Sequence, residues 1–190
     1  MSVLRVSATA ANVSYMNAAV HRLTRLHARR RHAVTLIPAP RYPKTPRDGA
    51  GILLRHTDTD GTWVLLGRRT ASLGGTWSNL GGSLDAGEAP LAGALRELGE
   101  EMLIPAAALI GGTIAHVVTT PKSDGGTYTM FVIDIPTAPR LPRRRDLPWE
   151  HTDVAWWFAA DLLDGQIALH AGFTACWTQI APRPLTLVEA

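Results

Sequence analysis

The chain has 190 residues, of which 46% are hydrophobic and 18% charged, which predicts a folded domain with a sizeable core rather than a disordered chain. No apolar run approaches the ~20 residues that a transmembrane helix needs, so a helical membrane span is excluded. The net charge of +3 is uneven: nine of the 19 Lys and Arg residues lie in the first 47 positions, and no Asp or Glu precedes Asp48.

This asymmetry divides the chain into a basic extension, residues 1–45, and one domain, residues 46–190. Residues 17–32 place apolar side chains at helical spacing among five arginines, which predicts a short amphipathic helix. We favour a helix that packs on its own domain or on a second copy of the chain. Less favoured alternatives are contact with an anion such as nucleic acid, and a targeting peptide. Four prolines in residues 38–46 indicate a stiff linker.

From residue 46 onwards, apolar runs between turn residues predict strands at 50–54, 62–66, 113–118, 128–135 and 154–158. Helices are predicted at about 89–102, 160–164 and 173–180. Strands mixed with a few helices indicate an α/β (α+β) domain in which one helix covers each face of a mixed sheet.

The helix predicted at 89–102 carries the residues most informative about function. At ~100° per residue its leucines gather on one side, while Glu97, Glu100 and Glu101 gather on another. Three carboxylates on one face repel one another unless a positive group lies among them. Clustered oxygen ligands suit a hard divalent cation, Mg²⁺ or Mn²⁺. Taken alone, however, the local run of glutamates favours a solvated acidic face.

The spacing upstream of these glutamates decides between the two interpretations. Gly82, five residues, Glu88, seven residues and the run RELGEE at 96–101 resemble the signature of the Nudix hydrolase family, which extends over residues 82–104. Six specified residues at this spacing would coincide by chance in about one in 10⁵ such sequences. The resemblance implies an α/β/α sandwich with a mixed β-sheet between helices. It also implies a magnesium-dependent enzyme that cleaves a phosphoanhydride bond in a nucleoside diphosphate-linked substrate.

The resemblance further implies a role for each position of the signature. Bound cations neutralise the diphosphate and activate a water, whose proton a nearby glutamate takes. Arg96 and Glu88 order the loop before the helix, and Glu150 resembles a late glutamate that precedes a Trp-containing strand in the family. We predict as catalytic residues Arg96, Glu97, Glu100 and Glu150, as metal ligands Gly81, Glu97, Glu100 and Glu101, and as structural residues Gly82 and Glu88.

The signature departs from the family pattern at Leu103, where the family has a glycine. A left-handed Leu at the end of the helix costs ~1–2 kcal/mol. Pro105 biases Ile104 towards an extended conformation, so we expect the helix to end in another way.

The substrate does not follow from the fold or the signature. We favour a (deoxy)nucleoside triphosphate pyrophosphatase, since the long N-terminal dimerisation sheet of ADP-ribose enzymes is lacking. The alternatives are an ADP-ribose or dinucleotide pyrophosphatase and, in another class, a non-catalytic nucleotide-binding regulatory module, against which the intact carboxylates argue. Candidate substrate contacts are Trp77, Lys122, Tyr128 and Trp149.

Other side chains favour structural roles. Cys176 lies in an apolar stretch and is predicted to be packed, and a single cysteine suits a reducing compartment, so we predict a cytoplasmic location. For His116 and His151 we favour structural over acid–base roles, and for the arginines at 140–145 a solvated loop over phosphate contacts. The oligomeric state stays open, with a homodimer among the alternatives.

Overall fold

The structure, a computed structural model, describes residues 46–181 and the backbone of residues 3–5. The predicted basic helix at 17–32, nearly all of the linker, and residues 182–190 lie outside these ranges. The described strands are β1 (Val3–Arg5), β2 (Gly49–Thr57), β3 (Thr62–Arg69), β4 (Trp77–Ser78), β5 (Leu80–Ser83), β6 (Thr113–Pro121), β7 (Thr127–Asp134) and β8 (His151–Phe158). The described α-helices are α1 (Pro90–Met102) and α2 (Ala171–Trp177).

The strands form one mixed sheet that divides beside β2. One edge of β2 pairs in parallel with β7. Along its other edge, the first residues of β2 pair with β5, whereas its last residues, from Arg55 to Thr57, pair with β3. β3 pairs with β8 along nearly its whole length, and beyond β2 it also pairs with β4 through Gly67 and Arg68. Because β4 and β5 belong to different halves of the divided sheet, the chain crosses between the halves at residues 78–81, beside a cleft.

Alternation along the strands supplies an apolar core on each face of the sheet. In β2, Ile52 contributes to the core under α1, and Leu53 to the core under α2. The adjacent pair in β8 divides in the same way, with Trp156 against the first core and Trp157 against the second. The predicted α/β sandwich with one helix on each face is therefore confirmed.

α1 ends differently from our expectation. Pro90 is its first residue, where the missing N–H costs no helical hydrogen bond. After Met102, Leu103 adopts the left-handed conformation with φ 54° and ψ 20°. The expectation that Pro105 would end the helix without a left-handed leucine is therefore wrong. The left-handed residue leaves its own side chain 54% exposed and is followed at once by Ile104, which is buried in the core under α1.

Short elements account for the other differences. β4 and β5 lie in a Gly-rich segment for which no strand was predicted, and the predicted helix at 160–164 is a 3₁₀ turn, Ala159–Leu163. β1 pairs antiparallel with β6, so part of the segment that we assigned to the extension forms an edge of the sheet. Within the described part of the chain, no helix is long and apolar enough to span a membrane.

Candidate active site

A cleft of about 750 Å³ lies where the sheet divides. Its walls bring together Glu97 and Glu101 of α1, the Gly81–Gly82 backbone of β5, and Glu150 from the loop before β8. The β6–β7 hairpin and the residues around the start of α2 complete the walls. The fold thus gathers residues from distant parts of the chain around one opening.

Glycines let the helix and the sheet approach closely at this cleft. A Cβ at Gly82 would lie 2.5 Å from a carboxylate oxygen of Glu97. A Cβ at Gly81 would collide with the backbone of Ala50 and Gly51 in the neighbouring strand. The Gly81–Gly82 pair therefore allows a carboxylate of α1 to lie directly against the backbone of β5.

Glu101 is the most buried carboxylate of the group, with 7% of its surface exposed. One of its oxygens accepts a 2.8 Å hydrogen bond from the backbone N–H of Gly81. Burial is the main reason that its pKa is raised to about 8; the hydrogen bond from Gly81 opposes this shift, and the charges of Glu97 and Glu150 add to it. The protonated carboxyl of Glu101 also shares a hydrogen bond with Glu150. Burial likewise raises the pKa of Glu97, although Arg96 opposes that shift.

Arg96 connects the loop before α1 to the helix. Its guanidinium donates two 3.0 Å hydrogen bonds to the carboxylate of Glu88 and one of 3.1 Å to the Ser83 carbonyl. It also donates 2.9 Å bonds to one oxygen each of Glu97 and Glu100. The hydrogen bonds from Arg96 lower the pKa of Glu88. Through these contacts, Arg96 connects the loop before α1 to two carboxylates of the helix.

The carboxylates fit a divalent cation by their chemistry. Within residues 46–181, no three His, Cys, Asp or Glu side chains stand already arranged as a metal-binding group. Nevertheless, Glu97, Glu101 and Glu150 lie close enough for their charges to interact. Glu101 retains its proton at pH values well above the ordinary pKa of a glutamate. The proton is retained because the carboxyl is buried and the group carries excess negative charge. Mg²⁺ or Mn²⁺, which prefer such oxygen ligands, would neutralise that charge in place of the proton. Glu100 lies further out, with about half of its side chain exposed.

Of the predicted substrate contacts, Lys122 and Tyr128 line the cleft. The Lys122 ammonium already donates to the Arg47 carbonyl and pairs with Asp124 at 3.2 Å. The Tyr128 hydroxyl accepts a 2.8 Å hydrogen bond from the side-chain amide of Asn79, and burial raises the pKa of this tyrosine. Both side chains therefore help to build the wall.

The two predicted tryptophans lie elsewhere. Trp77 is buried in the core under α2, where its ring packs edge-on against Trp157 with centroids 5.1 Å apart. The prediction that Trp77 contacts the substrate is therefore wrong, because its ring packs in the core. Trp149 is 68% exposed and is absent from the cleft wall.

Residues for which we predicted no site role also line the cleft, among them Arg69, Asn79 and His170. His151 lies in the wall as well; burial lowers its pKa to about 4, assisted by the charge of Arg69, so the ring is neutral at pH 7. Arg69, His151 and His170 are far apart in the chain; the pairing of β3 with β8 and the hydrogen bonds of residues 168–170 to Trp77 bring them together. Cys176 is fully buried, as predicted, with Sγ 3.6 Å from the hydroxyl of Thr120.

A family model described as the NUDIX domain matches residues 45–177. The chain belongs to the Nudix family. The match begins where the described domain begins and covers every element from β2 to α2. The cleft with its carboxylates therefore lies entirely within the Nudix domain.

Individual relatives agree with this assignment. A Mycobacterium tuberculosis protein provisionally named 8-oxo-dGTP diphosphatase 3 is 33% identical over 144 residues, which are 73% of this chain and 63% of the relative. The chain thus spans less than two thirds of that relative's length. The structure of a Nudix hydrolase from M. smegmatis, RenU, shares 27% identity at a TM-score of 0.59, covering 72% of this chain and 84% of that one. A C. elegans Ap4A hydrolase shares the fold at 20% identity and a TM-score of 0.56, covering 69% and 93%.

Proposed function

We propose that this Nudix protein is a Mg²⁺-dependent hydrolase that cleaves a phosphoanhydride bond of a nucleoside triphosphate and releases a nucleoside monophosphate and pyrophosphate. The observation that carries the proposal is the convergence of Glu97, Glu101 and Glu150 on the Gly81–Gly82 backbone inside the cleft. A nucleotide-binding module without chemistry would have little use for a buried carboxylate that has two further carboxylates beside it.

We assign the cation to Glu97, Glu100, Glu101 and the carbonyl of Gly81. When bound, it would neutralise phosphate charge and activate a water for attack on phosphorus. Arg96 holds one oxygen of Glu97 and one of Glu100, which orients both side chains and leaves each a second oxygen. The Gly81 N–H does the same for Glu101.

Glu150 is our candidate for the proton acceptor. It lines the cleft beside Glu101 and receives no hydrogen bond from Arg96, unlike Glu97 and Glu100. Among the described residues, no guanidinium competes with the water for the oxygens of Glu150, so its carboxylate can accept the proton. The water proton would pass to Glu150, the new P–O bond would form, and the leaving oxygen would depart with pyrophosphate.

The substrate class rests on two observations. A cleft of about 750 Å³ is within the size range of sites that enclose a nucleotide-sized ligand. The M. tuberculosis relative is named for 8-oxo-dGTP, which supports a deoxynucleoside triphosphate, including one with an oxidised base.

The test is product analysis with a panel of nucleotides in the presence of Mg²⁺. The panel contains the deoxynucleoside triphosphates, 8-oxo-dGTP, ADP-ribose and a dinucleoside polyphosphate, with EDTA as the metal-free control. Chromatography should show a nucleoside monophosphate and pyrophosphate from a triphosphate in the wild type, and no product from Glu101→Gln. Asp161→Asn, a change to an exposed carboxylate on a 3₁₀ turn, is the matched control and should retain activity.

Other results of the nucleotide panel would favour one of the alternative functions. Preferred turnover of ADP-ribose or of the dinucleotide would replace the triphosphate assignment. Tight binding of a nucleotide without turnover of any panel member would contradict the enzyme and favour a regulatory module.

A further inference from the structure

Arg69 is a cation of the cleft wall that the carboxylate group does not engage. It is the last residue of β3, half-buried, and its backbone N–H donates to the Thr76 carbonyl at 2.9 Å. Within residues 46–181, none of the ion pairs or side-chain hydrogen bonds involves its guanidinium. Lys122, the other cation among the wall residues, is by contrast already occupied by a carbonyl and by Asp124.

Two histidines of the wall lie beside this guanidinium. His151 is the cross-strand partner of Arg69 in the β3–β8 pairing. His170 comes from the segment before α2, and the charge of Arg69 acts on both rings. The three side chains therefore form one group, although 101 positions separate Arg69 from His170.

Hydrogen bonding determines which ring nitrogen of His170 carries the proton. Its Nδ1 accepts a 3.2 Å bond from the backbone N–H of Gly172, so the neutral ring carries its proton on Nε2 and is a donor there. The backbone holds the residue in place, because the N–H of His170 donates to the Trp77 carbonyl at 2.8 Å and its carbonyl accepts from Thr174 at 2.9 Å.

His151 lines the same wall and keeps one ring nitrogen buried beneath the cleft surface. Its residue surface is 7% exposed, and Nδ1 has no hydrogen-bond partner within the described part of the chain. The ring packs where a side chain at residue 67 would otherwise lie: a Cβ on Gly67 would be 2.6 Å from ring Cδ2. A buried imidazole nitrogen without a partner is costly unless a ligand or a water satisfies it.

We propose that Arg69, with His151 and His170 beside it, is a phosphate-binding subsite for a phosphoryl group that the carboxylate-bound cation does not hold. The identity of the ligand rests on the proposed function. A planar guanidinium without a carboxylate partner offers paired donors that match two phosphate oxygens. The neutral imidazoles can supply hydrogen bonds without adding charge. A polyphosphate would thus be anchored at two points, the carboxylate-bound cation and Arg69, which orients the bond between them.

Inorganic pyrophosphate binding to the metal-free, full-length chain tests the subsite without any hydrolysis. Calorimetry should show that Arg69→Ala raises the dissociation constant for pyrophosphate by about 10- to 100-fold, the loss of affinity expected when hydrogen bonds to a charged group are removed. The dissociation constant of Arg69→Lys should lie between those of the wild type and Arg69→Ala. The matched control is Arg68→Ala, which removes the neighbouring arginine; Arg68 is exposed, donates to the Gly75 carbonyl and is absent from the wall. This control should bind pyrophosphate as the wild type does.

Three results would overturn the subsite: no pyrophosphate binding by the wild type, unchanged binding by Arg69→Ala, or an equal loss in Arg68→Ala. With Mg²⁺ and the nucleotide that the panel identifies, Arg69→Ala should raise KM more than it lowers kcat. A lower kcat with an unchanged KM would also overturn it. If no nucleotide is hydrolysed, the proposed function fails, while the calorimetric comparison still decides the role of Arg69.

Discussion

The backbone N–H of Gly81 donates a 2.8 Å hydrogen bond to the carboxylate of Glu101 and thereby ties β5 to the last turn of α1. The Glu101 side chain is buried, and its neighbours Glu97 and Glu150 are acidic. Holding a carboxylate there opposes folding unless a proton or a cation accompanies it. Glu101 therefore has two separable roles: the hydrogen bond that it accepts from Gly81 is structural, and its negative charge is available to a cation.

Glu101→Gln should therefore abolish function while leaving the fold intact. Glutamine retains an oxygen that can accept from Gly81, and it replaces a carboxyl whose pKa of about 8 already favours the neutral form at pH 7. It cannot supply an anionic ligand, so kcat/KM with Mg²⁺ should fall below the detection limit of the assay, a loss of about 100-fold or more. Steady-state kinetics and thermal unfolding without metal measure the two effects. Retained activity, or a large loss of thermal stability, would contradict this separation of roles.

Arg96→Lys tests whether one guanidinium holds the loop and the carboxylates together. Arg96 donates to Glu88, Glu97 and Glu100 at once, and a single ammonium cannot reproduce that geometry. We expect a Mg²⁺ concentration for half-maximal activity that is about 10-fold higher, since the ligands are less well oriented. Arg68→Lys is the control for a change of the same type on an exposed strand position and should leave the Mg²⁺ dependence unchanged. Equal Mg²⁺ requirements in all three proteins would refute the orienting role.

Asp48 links the start of the domain to the hairpin that lines the cleft. One of its oxygens accepts 2.8 Å bonds from both the N–H and the hydroxyl of Thr127, and these bonds lower its pKa. A lowered pKa in the folded state means that its contribution to stability is present above the unfolded-state pKa and is lost as pH falls through the folded value. Asp48→Asn keeps an acceptor oxygen but cannot titrate.

Urea unfolding at several pH values measures this effect. The variant should be less stable than the wild type at pH 7, and the difference should shrink as the pH falls through the lowered pKa of Asp48. Asp60→Asn, at an exposed turn position, serves as the comparison and should show no such convergence. A wild type–variant difference that does not depend on pH would contradict the role of Asp48.

Local patterns in the sequence anticipated the elements that depend on nearby residues. The period of α1 predicted that Glu97 and Glu101 would share a region distinct from the leucine face, and the alternation of side chains along a strand accounts for the packing of Trp156 and Trp157 in opposite cores. Glu150 was named only through resemblance, since its approach to Glu101 depends on the pairing of β8 with β3.

Other features depend on long-range pairing that no local pattern encodes. His170 reaches the cleft because residues 168–170 hydrogen-bond to Trp77, 91 positions or more earlier in the chain. The same pairing helps to bury Trp77, whose aromatic ring by itself suggested a stacking role. The three residues of β1 carry no distinctive pattern, and their pairing with β6 follows only from the assembled sheet.

Leu103→Gly should stabilise the protein. Leu103 is the one residue other than glycine with a positive φ within the described ranges, and more than half of its side chain is exposed. Glycine removes the left-handed penalty of ~1–2 kcal/mol at the price of a more flexible unfolded chain and of some apolar contact, so the net gain should be about 0.5–1 kcal/mol. Leu103→Ala is the informative control, because alanine loses the same apolar contact yet still has a Cβ that disfavours the left-handed region. Urea unfolding should rank the glycine variant above the wild type and alanine at or below it; equal stabilisation by both would show that the side chain, not the backbone conformation, carries the cost.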